Sequence, residues 1–492
     1  MPIPLLMALL IAFGMELPGD EVPGPSVSFR LIETLGGILL IAALSFGLGG
    51  WVAAQVFHLG YASGRVFRRY LRGSRILTVA GLTIYAWIIY LVGWPRLVLS
   101  NWGLQGLVLV DDLAVLLPFF AIQLITWSGL YLAERALHEV RVFPRLPTYL
   151  ALKARQSAGL VLPVVLIFVI RQDLCPRLWP QWHQSPAAEP IELAVLGFLV
   201  LAVSPLFIRL AWPTRSLPEG PLRNRLERVA RRVGFRFNDL LIWDTRHLMV
   251  NACVTGVIPH FRYVLLTDAL IDSLSPVEVA AVFGHELGHV AHRHLPFFGF
   301  FFLGSLGLLS LVTRVFSLPS AWFEGLPWIP ADQISRVGEF AEAALILGSL
   351  GVFFWLVFGH LSRRFERQAD VFGCKVVSCG VSECPPHFDF EEGTHGLEPA
   401  NPLSPGLCPV GIQIFSAALA KVACQNGIDA SARSWRHGSI ANRLKFLRRL
   451  QADPGGEKFF QRSVRSFRLM LSVVLLITLI VAVLTRSWEL LG

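Results

Sequence analysis

Long apolar runs constrain this chain more than any other feature of its sequence. A helix crosses the bilayer with roughly 20 consecutive apolar residues. Seven runs of about that length lie near 33–57, 76–97, 105–131, 191–212, 296–316, 340–361 and 467–486. An eighth run, 157–170, is shorter because Arg155 and Arg171 bound it closely, and we interpret it as a span whose charged ends reach the interface. The sequence therefore predicts a predominantly α-helical polytopic membrane protein with about eight transmembrane helices.

The composition agrees with a membrane protein. Hydrophobic residues make up 54% of the chain and charged residues 16%, whereas soluble domains carry about 25% charged residues. The seven cysteines are an odd number at irregular spacings, which indicates reduced thiols and argues against a secreted disulfide scaffold. Residues 1–14 are apolar but short and lack a positive leading segment, so they predict an extra span or an interfacial segment instead of a signal peptide.

The charged loops predict the orientation of the spans. Loops 58–75 and 132–156 each hold five arginine or lysine residues, and the alternate connections hold few. Because positively charged loops stay on the cytoplasmic side, we expect segments 213–295 and 362–466 in the cytoplasm, at the inner membrane if the protein is bacterial. The net charge of +9 is then mostly a matter of topology, so the expected partner is the lipid bilayer and not nucleic acid.

Residues 285–289 read His-Glu-Leu-Gly-His and fall on a predicted helix. The preceding Ser-Pro-Val-Glu at 275–278 has the residue types of a capping box with proline in the first helical position, so we expect a helix running through about residue 294. His285 and His289 lie one turn apart on one face and can bind one Zn²⁺.

Glu286 points away from that face. It can hold a water that the metal activates and accept its proton, as a catalytic base does. The alternative, an amphipathic helix that carries histidines without a metal, is less compatible with a motif inside a correctly capped helix.

A catalytic zinc site needs a third protein ligand. Among nearby residues, we interpret His292 as a polar neighbour and His294 as an interfacial residue at the mouth of the next span. Downstream, Glu366 and Asp370 lie one turn apart on one helix face. Glu366 is the predicted third ligand, and Asp370 is predicted to accept a hydrogen bond from a ligating histidine. An ordinary surface helix is the alternative, but two membrane crossings return the chain from His289 to the same side before Glu366.

These residues resemble a known family. HELGHVAHRH followed by a hydrophobic hairpin and ERQAD is similar to the membrane gluzincin peptidases, which include the HtpX heat-shock proteases and the CaaX prenyl proteases. The resemblance covers roughly 219–450. It implies that Asn251 binds the backbone of an extended peptide, that His437 stabilises the oxyanion and that Arg443 orders the site. Gly438 stands where the family usually has proline.

The apolar runs and the two polar segments divide the chain into five parts, and the resemblance implies that the polar segments form a gluzincin-type α+β metallopeptidase core, which the arginine pattern assigns to the cytoplasm. The parts are an N-terminal membrane domain of about five spans (1–212), the first part of the catalytic core (213–295), a transmembrane hairpin (296–361), the second part of the core (362–466) and a C-terminal span (467–492).

The predicted function is that of an integral-membrane endopeptidase that uses one Zn²⁺ and cleaves membrane proteins or membrane-associated peptides, in protein quality control. One alternative is maturation of a specific, possibly lipidated, peptide. Another is an inactive scaffold that binds zinc, which the intact Glu286 argues against. A transporter is disfavoured because its polar groups would lie at mid-membrane, and these motifs lie outside the spans.

Overall fold

The computed structural model describes residues 3–13, 26–61, 63–107, 109–137, 143–185, 188–315, 349, 351–379, 406–432 and 434–485. The chain divides into two compact units. The first unit is Met1–Leu217, Phe237–Asn251 and Thr255–Ala269, and the second is Pro218–Arg236, Ala252–Val254 and Leu270–Gly492.

The described residues are predominantly helical, with four short strands. The helices are α1 (Ile3–Phe13), α2 (Val27–Leu59), α3 (Gly64–Trp87), α4 (Trp94–Arg96), α5 (Val110–Leu137), α6 (Leu146–Val169), α7 (Cys175–Leu178), α8 (Pro180–His183), α9 (Ala188–Ala211), α10 (Pro221–Arg232), α11 (Asp268–Ser273), α12 (Pro276–Ala291), α13 (His294–Val315), α14 (Gly359–Val376), α15 (Pro409–Gln425), α16 (Ile440–Ala452) and α17 (Pro454–Leu484). The strands are β1 (Thr214–Ser216), β2 (Asp239–Trp243), β3 (Ala252–Thr255) and β4 (Tyr263–Thr267). Single π-helical turns occupy Ile88–Val92, Leu97–Asn101, Ile170–Leu174 and Phe354–Phe358, and a 3₁₀ turn occupies Pro259–Phe261.

Five described helices are long and apolar enough to cross a membrane. They are Val27–Leu59, Gly64–Val92, Val110–Leu137, Leu146–Ile167 and Gly455–Leu484. Shorter apolar stretches lie at Ala202–Ala211 and His294–Leu309. These helices confirm the predicted helical membrane protein. Residues 340–348 and 350 of the predicted 340–361 span, and most of the Pro-, Gly- and Cys-rich insert at about 380–410, lie outside the described residues.

The first unit is held together by closely packed helices. A Cβ added to Gly49 on α2 would clash with the Gly129 carbonyl oxygen of α5, so only glycine allows these two helices to approach so closely, as is common between membrane helices. Ala8, Leu9 and Ala12 of α1 belong to a buried hydrophobic cluster that also contains residues of α2 and α5, such as Ile41 and Phe119. The 11 residues of α1 span only about 16 Å, which is shorter than the hydrocarbon layer.

Strands β1, β2 and β4 of the first unit form part of a small mixed sheet. β1 pairs with β2 in antiparallel orientation, and β2 pairs with β4 in parallel orientation. Every residue of β4 is buried, as expected of a strand covered on both faces. The sheet supplies the β part of the predicted α+β core.

In the second unit, α12 begins as predicted and ends earlier. The capping box is formed, since Glu278 Oε2 accepts from the Ser275 backbone at 2.8 Å and the Ser275 hydroxyl accepts from the Glu278 backbone at 3.4 Å. The expectation of a helix through about residue 294 was wrong. The helix stops at Ala291 because Arg293 takes a left-handed conformation with φ of 54°, and α13 starts in a new direction at His294.

Helices α12 and α14 pack almost backbone against backbone. A Cβ on Gly288 would lie 2.8 Å from the Ala369 Cα, and one on Gly373 would lie 2.8 Å from the His285 backbone nitrogen. Gly284 makes a similar approach to Val376, at 2.9 Å. Glycine at these positions therefore brings together the helices that carry the two sequence motifs.

Candidate metal centre

Three predicted donors converge between α12 and α14. His285 Nε2 lies 3.3 Å from His289 Nε2 and 3.7 Å from Glu366 Oε2, and His289 Nε2 lies 3.7 Å from Glu366 Oε1. Donors about 2.0–2.1 Å from a tetrahedral Zn²⁺ would stand about 3.3–3.5 Å apart. The spacing of this group and its two-imidazole, one-carboxylate chemistry therefore fit a metal ion.

Asp370 lies directly behind His285. Its Oδ1 is 3.0 Å from His285 Nδ1, which leaves Nε2 directed at the other donors. The fully buried carboxylate also accepts from Arg443 Nε at 2.8 Å and from Arg443 Nη2. Burial alone would raise the pKa of Asp370, but the Arg443 guanidinium lowers it. Asp370 is therefore an ionised group that orients His285, the arrangement common behind metal-binding histidines.

Glu366 is buried yet surrounded by hydrogen-bond donors. His437 Nδ1 lies 2.9 Å from its Oε1, and Arg443 Nη1 lies 3.5 Å from its Oε2. Burial would raise the pKa of Glu366, but the His437 hydrogen bond and the Arg443 charge lower it. In the same centre, burial and the neighbouring His285 lower the pKa of His289 to about 4. An ionised carboxylate and a neutral imidazole are the forms that bind a metal.

Glu286 is enclosed beside the donor group without belonging to it. Its carboxylate accepts a hydrogen bond from the backbone of Val254, a residue of β3. Burial raises the pKa of Glu286 to about 7. A carboxyl group with a pKa near neutrality suits repeated gain and loss of a proton.

His294 is a member of the centre that the sequence interpretation missed. It is the first residue of the apolar helix α13, at the position expected for the mouth of a span, but its side chain is buried and its Nδ1 lies 2.9 Å from His289 Nδ1. Its Nε2 lies 3.1 Å from Gln368 Oε1, and Gln368 donates to Gln461 at 2.6 Å. Because the Gln368 oxygen can only accept, His294 Nε2 carries the proton and Nδ1 accepts from His289.

Two further residues singled out in the sequence are not among the donors. Asn251 is in the first unit, exposed immediately before β3, and its backbone exchanges hydrogen bonds with the Thr267 hydroxyl. His292 is the residue that ends α12, and its ring stacks on His294 with centroids 5.6 Å apart. The substrate contact of Asn251 stays a prediction.

Part of the chain matches a known peptidase family. Residues 216–383, about a third of the chain, match peptidase family M48. This range contains the two histidines, Glu286 and Glu366. Together with the membrane-length helices, the match confirms the predicted resemblance to the membrane gluzincin peptidases.

The particular relatives are of two kinds. The chain is 32% identical over 108 residues to CAAX prenyl protease 1 of Saccharomyces cerevisiae, which covers 21% of this chain and 24% of that protein. It is 29% identical over 200 residues to a Protease HtpX homolog of Methanocaldococcus jannaschii, which covers 40% of this chain and 67% of that protein. The chain thus spans about a quarter of the yeast relative and two thirds of the archaeal one.

A solved structure shares the fold. The crystal structure of S. mikatae Ste24p matches 86% of this chain and 100% of that chain with a TM-score of 0.52 and 16% sequence identity. The fold of this chain is therefore similar to that of a solved structure.

Proposed function

We propose that the chain is an integral-membrane zinc endopeptidase. The observation that carries this is the convergence of His285, His289 and Glu366 within 3.3–3.7 Å, with the Glu286 carboxylate beside them. Zn²⁺, when bound, supplies a Lewis acid that polarises water and the peptide carbonyl. A site that held zinc only for structure would have no use for Glu286, so a catalytic role is favoured over a scaffold.

The chain's own residues supply the proton transfers. Glu286, held by the Val254 backbone, takes a proton from the attacking water and returns it to the leaving amine. His437, whose side chain is 45% exposed beside Glu366, donates to the oxyanion that forms on the substrate carbonyl. Asp370 and Arg443 hold His285 and Glu366 in place. Asn251 pairs with the backbone of an extended substrate.

The proposed substrates are membrane proteins or membrane-associated peptides, cleaved at the cytoplasmic interface. The arginine-rich loops of the first unit support this orientation. Protein quality control is the proposed role, because the sequence contains no motif that is specific for a prenyl group. The names of the relatives include both HtpX and CAAX prenyl protease 1, so maturation of a lipidated peptide is the second candidate.

A paired substrate assay tests the role. The purified wild-type protein and its Glu286→Gln variant, both with Zn²⁺, would be incubated separately with three substrates. These are an unfolded membrane protein, a farnesylated peptide and the same peptide without the farnesyl group. We expect the wild type to cleave the membrane protein at several positions and the farnesylated and unmodified peptides equally. Cleavage of the farnesylated peptide alone, at one position, would support maturation. If wild type cleaves none of the substrates faster than Glu286→Gln does, the proposal that the protein is a peptidase is contradicted.

A further inference from the structure

A basic cleft opens in the second unit, apart from the metal centre. It has a volume of about 430 Å³ and is lined by α14, α16 and the first turns of α17. Four arginines line it: Arg363, Arg364, Arg367 and Arg449. The cleft shares no residue with the metal donors, and the proposed peptidase chemistry does not use it.

Positive charge is in excess in the cleft, since four arginines and one carboxylate line it. Among the described residues, none of the four arginines forms an ion pair with a carboxylate. Asp453 is the carboxylate that lines the cleft, and it is engaged as the cap of α17, where it accepts from the Gly455 backbone at 3.1 Å. Burial and the Arg364 charge lower the pKa of Arg367, as expected where guanidinium groups repel one another. An anion in the cleft would relieve this repulsion.

Two of the arginines are already fixed in position. Arg364 donates to His360 at 2.8 Å and to the Ser463 hydroxyl at 2.8 Å. The Arg367 guanidinium lies 5.1 Å from the centre of the Phe446 ring. Side chains ordered in advance lose less conformational entropy when a ligand binds, and guanidinium groups suit phosphate oxygens because they donate in a planar fork.

The cleft lies about 9–10 Å along its helices from exposed apolar residues. The exposed apolar residues Trp355 and Leu356 precede it on the helix that continues into α14, and Leu469 begins the exposed apolar surface that follows it on α17. At 1.5 Å per residue, Arg363 is about 10 Å beyond Leu356, and Ser463 is about 9 Å from Leu469. The headgroup layer extends about 5–8 Å from the hydrocarbon, a distance that helix tilt and the length of arginine bring within reach.

An apolar side chain also stands at the rim of the cleft. Phe459 lines it with 76% of its surface exposed. An aromatic ring beside a basic cleft fits a ligand with an anionic head and an apolar body, since the ring can lie against the upper part of an acyl chain. A free inorganic anion would make no use of it.

From these observations, we infer that the cleft binds the phosphate headgroup of an anionic phospholipid. Arg364 and Arg449, from α14 and α16, hold the phosphate between them, and Phe459 contacts the glycerol and the first acyl carbons. Binding would tie α14, which carries Glu366, to α16 and α17 at the membrane surface.

The test measures lipid retention by the full-length protein. Wild type and an Arg364→Gln/Arg449→Gln variant would be titrated in neutral detergent with phosphatidylglycerol, with phosphatidylcholine and with inorganic phosphate, and bound lipid counted by mass spectrometry. We expect phosphatidylglycerol to bind wild type at least tenfold more tightly than phosphatidylcholine. The variant should lose about tenfold or more, since each arginine near the headgroup contributes about a factor of five.

Controls separate the cleft from general charge. An Arg448→Gln/Arg462→Gln variant removes the same charge from exposed positions of α16 and α17 outside the cleft and should bind phosphatidylglycerol within twofold of wild type. An Arg364→Lys/Arg449→Lys variant should recover part of the affinity, which guards against misfolding of the glutamine variant. Equal loss in the control variant, or no loss in the cleft variant, would overturn the proposal. Displacement of phosphatidylglycerol by millimolar phosphate would assign the cleft to a free anion instead.

Discussion

Each predicted metal donor is backed by a second buried or half-buried side chain. These contacts direct the donor atoms to one point, and weakening such support typically lowers metal affinity about 10–100-fold. The supporting pairs are Asp370 behind His285, His294 behind His289, and Arg443 beside Glu366.

Asp370→Asn should destabilise the second unit. The change leaves the buried Arg443 guanidinium without its charged partner, and breaking a buried pair in this way costs about 3–5 kcal/mol. Thermal unfolding in detergent, with a metal chelator present, measures this loss. The double variant Asp370→Asn/Arg443→Gln should be less unstable than the sum of the two single variants. Additive effects would contradict the pairing.

The same variant should change the response to acid. The pKa of Asp370 is lower in the folded protein than in the unfolded chain, because Arg443 outweighs burial. The unfolded state therefore binds the proton first, and the stability from this carboxylate is present above about pH 4 and lost as the pH falls below it. We expect wild type to lose more stability than Asp370→Asn between about pH 5 and pH 3. Parallel curves would count against the prediction.

His294→Phe should weaken zinc binding about 10–100-fold. Phenylalanine can keep the stacking on Phe365, whose ring centre lies 3.9 Å away, but it removes the nitrogen that accepts from His289. Competition with a zinc-binding dye gives the affinity without any activity measurement. His292→Gln, one turn from the donors but outside this hydrogen-bond chain, is the matched control and should stay within about threefold. Equal affinities for all three proteins would show that His294 has no positioning role.

Residue spacing explains why some of the site could be predicted and some could not. His285, Glu286 and His289 share one helix, so local geometry is enough to relate them. Glu366 required the additional inference that the chain crosses the membrane twice. His294 was missed because α12 was expected to continue through it, whereas the left-handed Arg293 ends that helix; Pro296, in the first turn of α13, is the sequence signal for the new helix start.

At the scale of whole helices, the distance between α12 and α14 determines the metal centre. Glycines at the contact let the two backbones meet, and the site lies at this contact. The sequence shows the glycines, but which helix faces them follows only from the tertiary packing.

Gly288→Ala should push these helices apart. The new Cβ would lie 2.8 Å from the Ala369 Cα and 2.9 Å from the Phe372 Cβ, and overpacking of this kind costs about 1–3 kcal/mol. We expect a lower unfolding temperature together with weaker zinc binding. Gly50→Ala on α2, where a Cβ would meet nothing within 4 Å, is the matched control and should leave both quantities unchanged. An unchanged zinc affinity in Gly288→Ala would show that the helix spacing is not critical.

At the scale of the whole molecule, chemical labelling tests on which side of the membrane the polar segment 362–466 lies. Cys424 is exposed and lies in the segment that the arginine pattern assigns to the cytoplasm. In a variant that keeps only this cysteine, a membrane-impermeant maleimide should label intact cells weakly and permeabilised cells strongly. As a control, a single cysteine placed at Gly103 lies between the predicted spans 76–97 and 105–131, on the side opposite the arginine-rich loops. It should be labelled in both intact and permeabilised cells. Strong labelling of Cys424 in intact cells would reverse the proposed topology.

The hydrophobic pattern was sufficient to predict a helical membrane protein, but it did not predict where each helix begins and ends. The run near 105–131 predicts a span, and the helix is Val110–Leu137 because hydrophobicity does not mark where a helix starts. The run 157–170 belongs to the longer α6, whose polar first turns continue the helix beyond the apolar part. The division into two units depends on long-range contacts and could not be read from local pattern.

Metal content and peptide cleavage, measured side by side for three proteins, test the central claim most directly. Wild type should contain one zinc per chain and cleave. Glu286→Gln should keep the zinc and lose about 10²–10⁴-fold in cleavage rate, the usual contribution of a general base. Glu366→Ala should lose both, because a donor is removed. Cleavage by Glu286→Gln at the wild-type rate would contradict the assigned base, and full zinc content in Glu366→Ala would contradict the assigned metal centre.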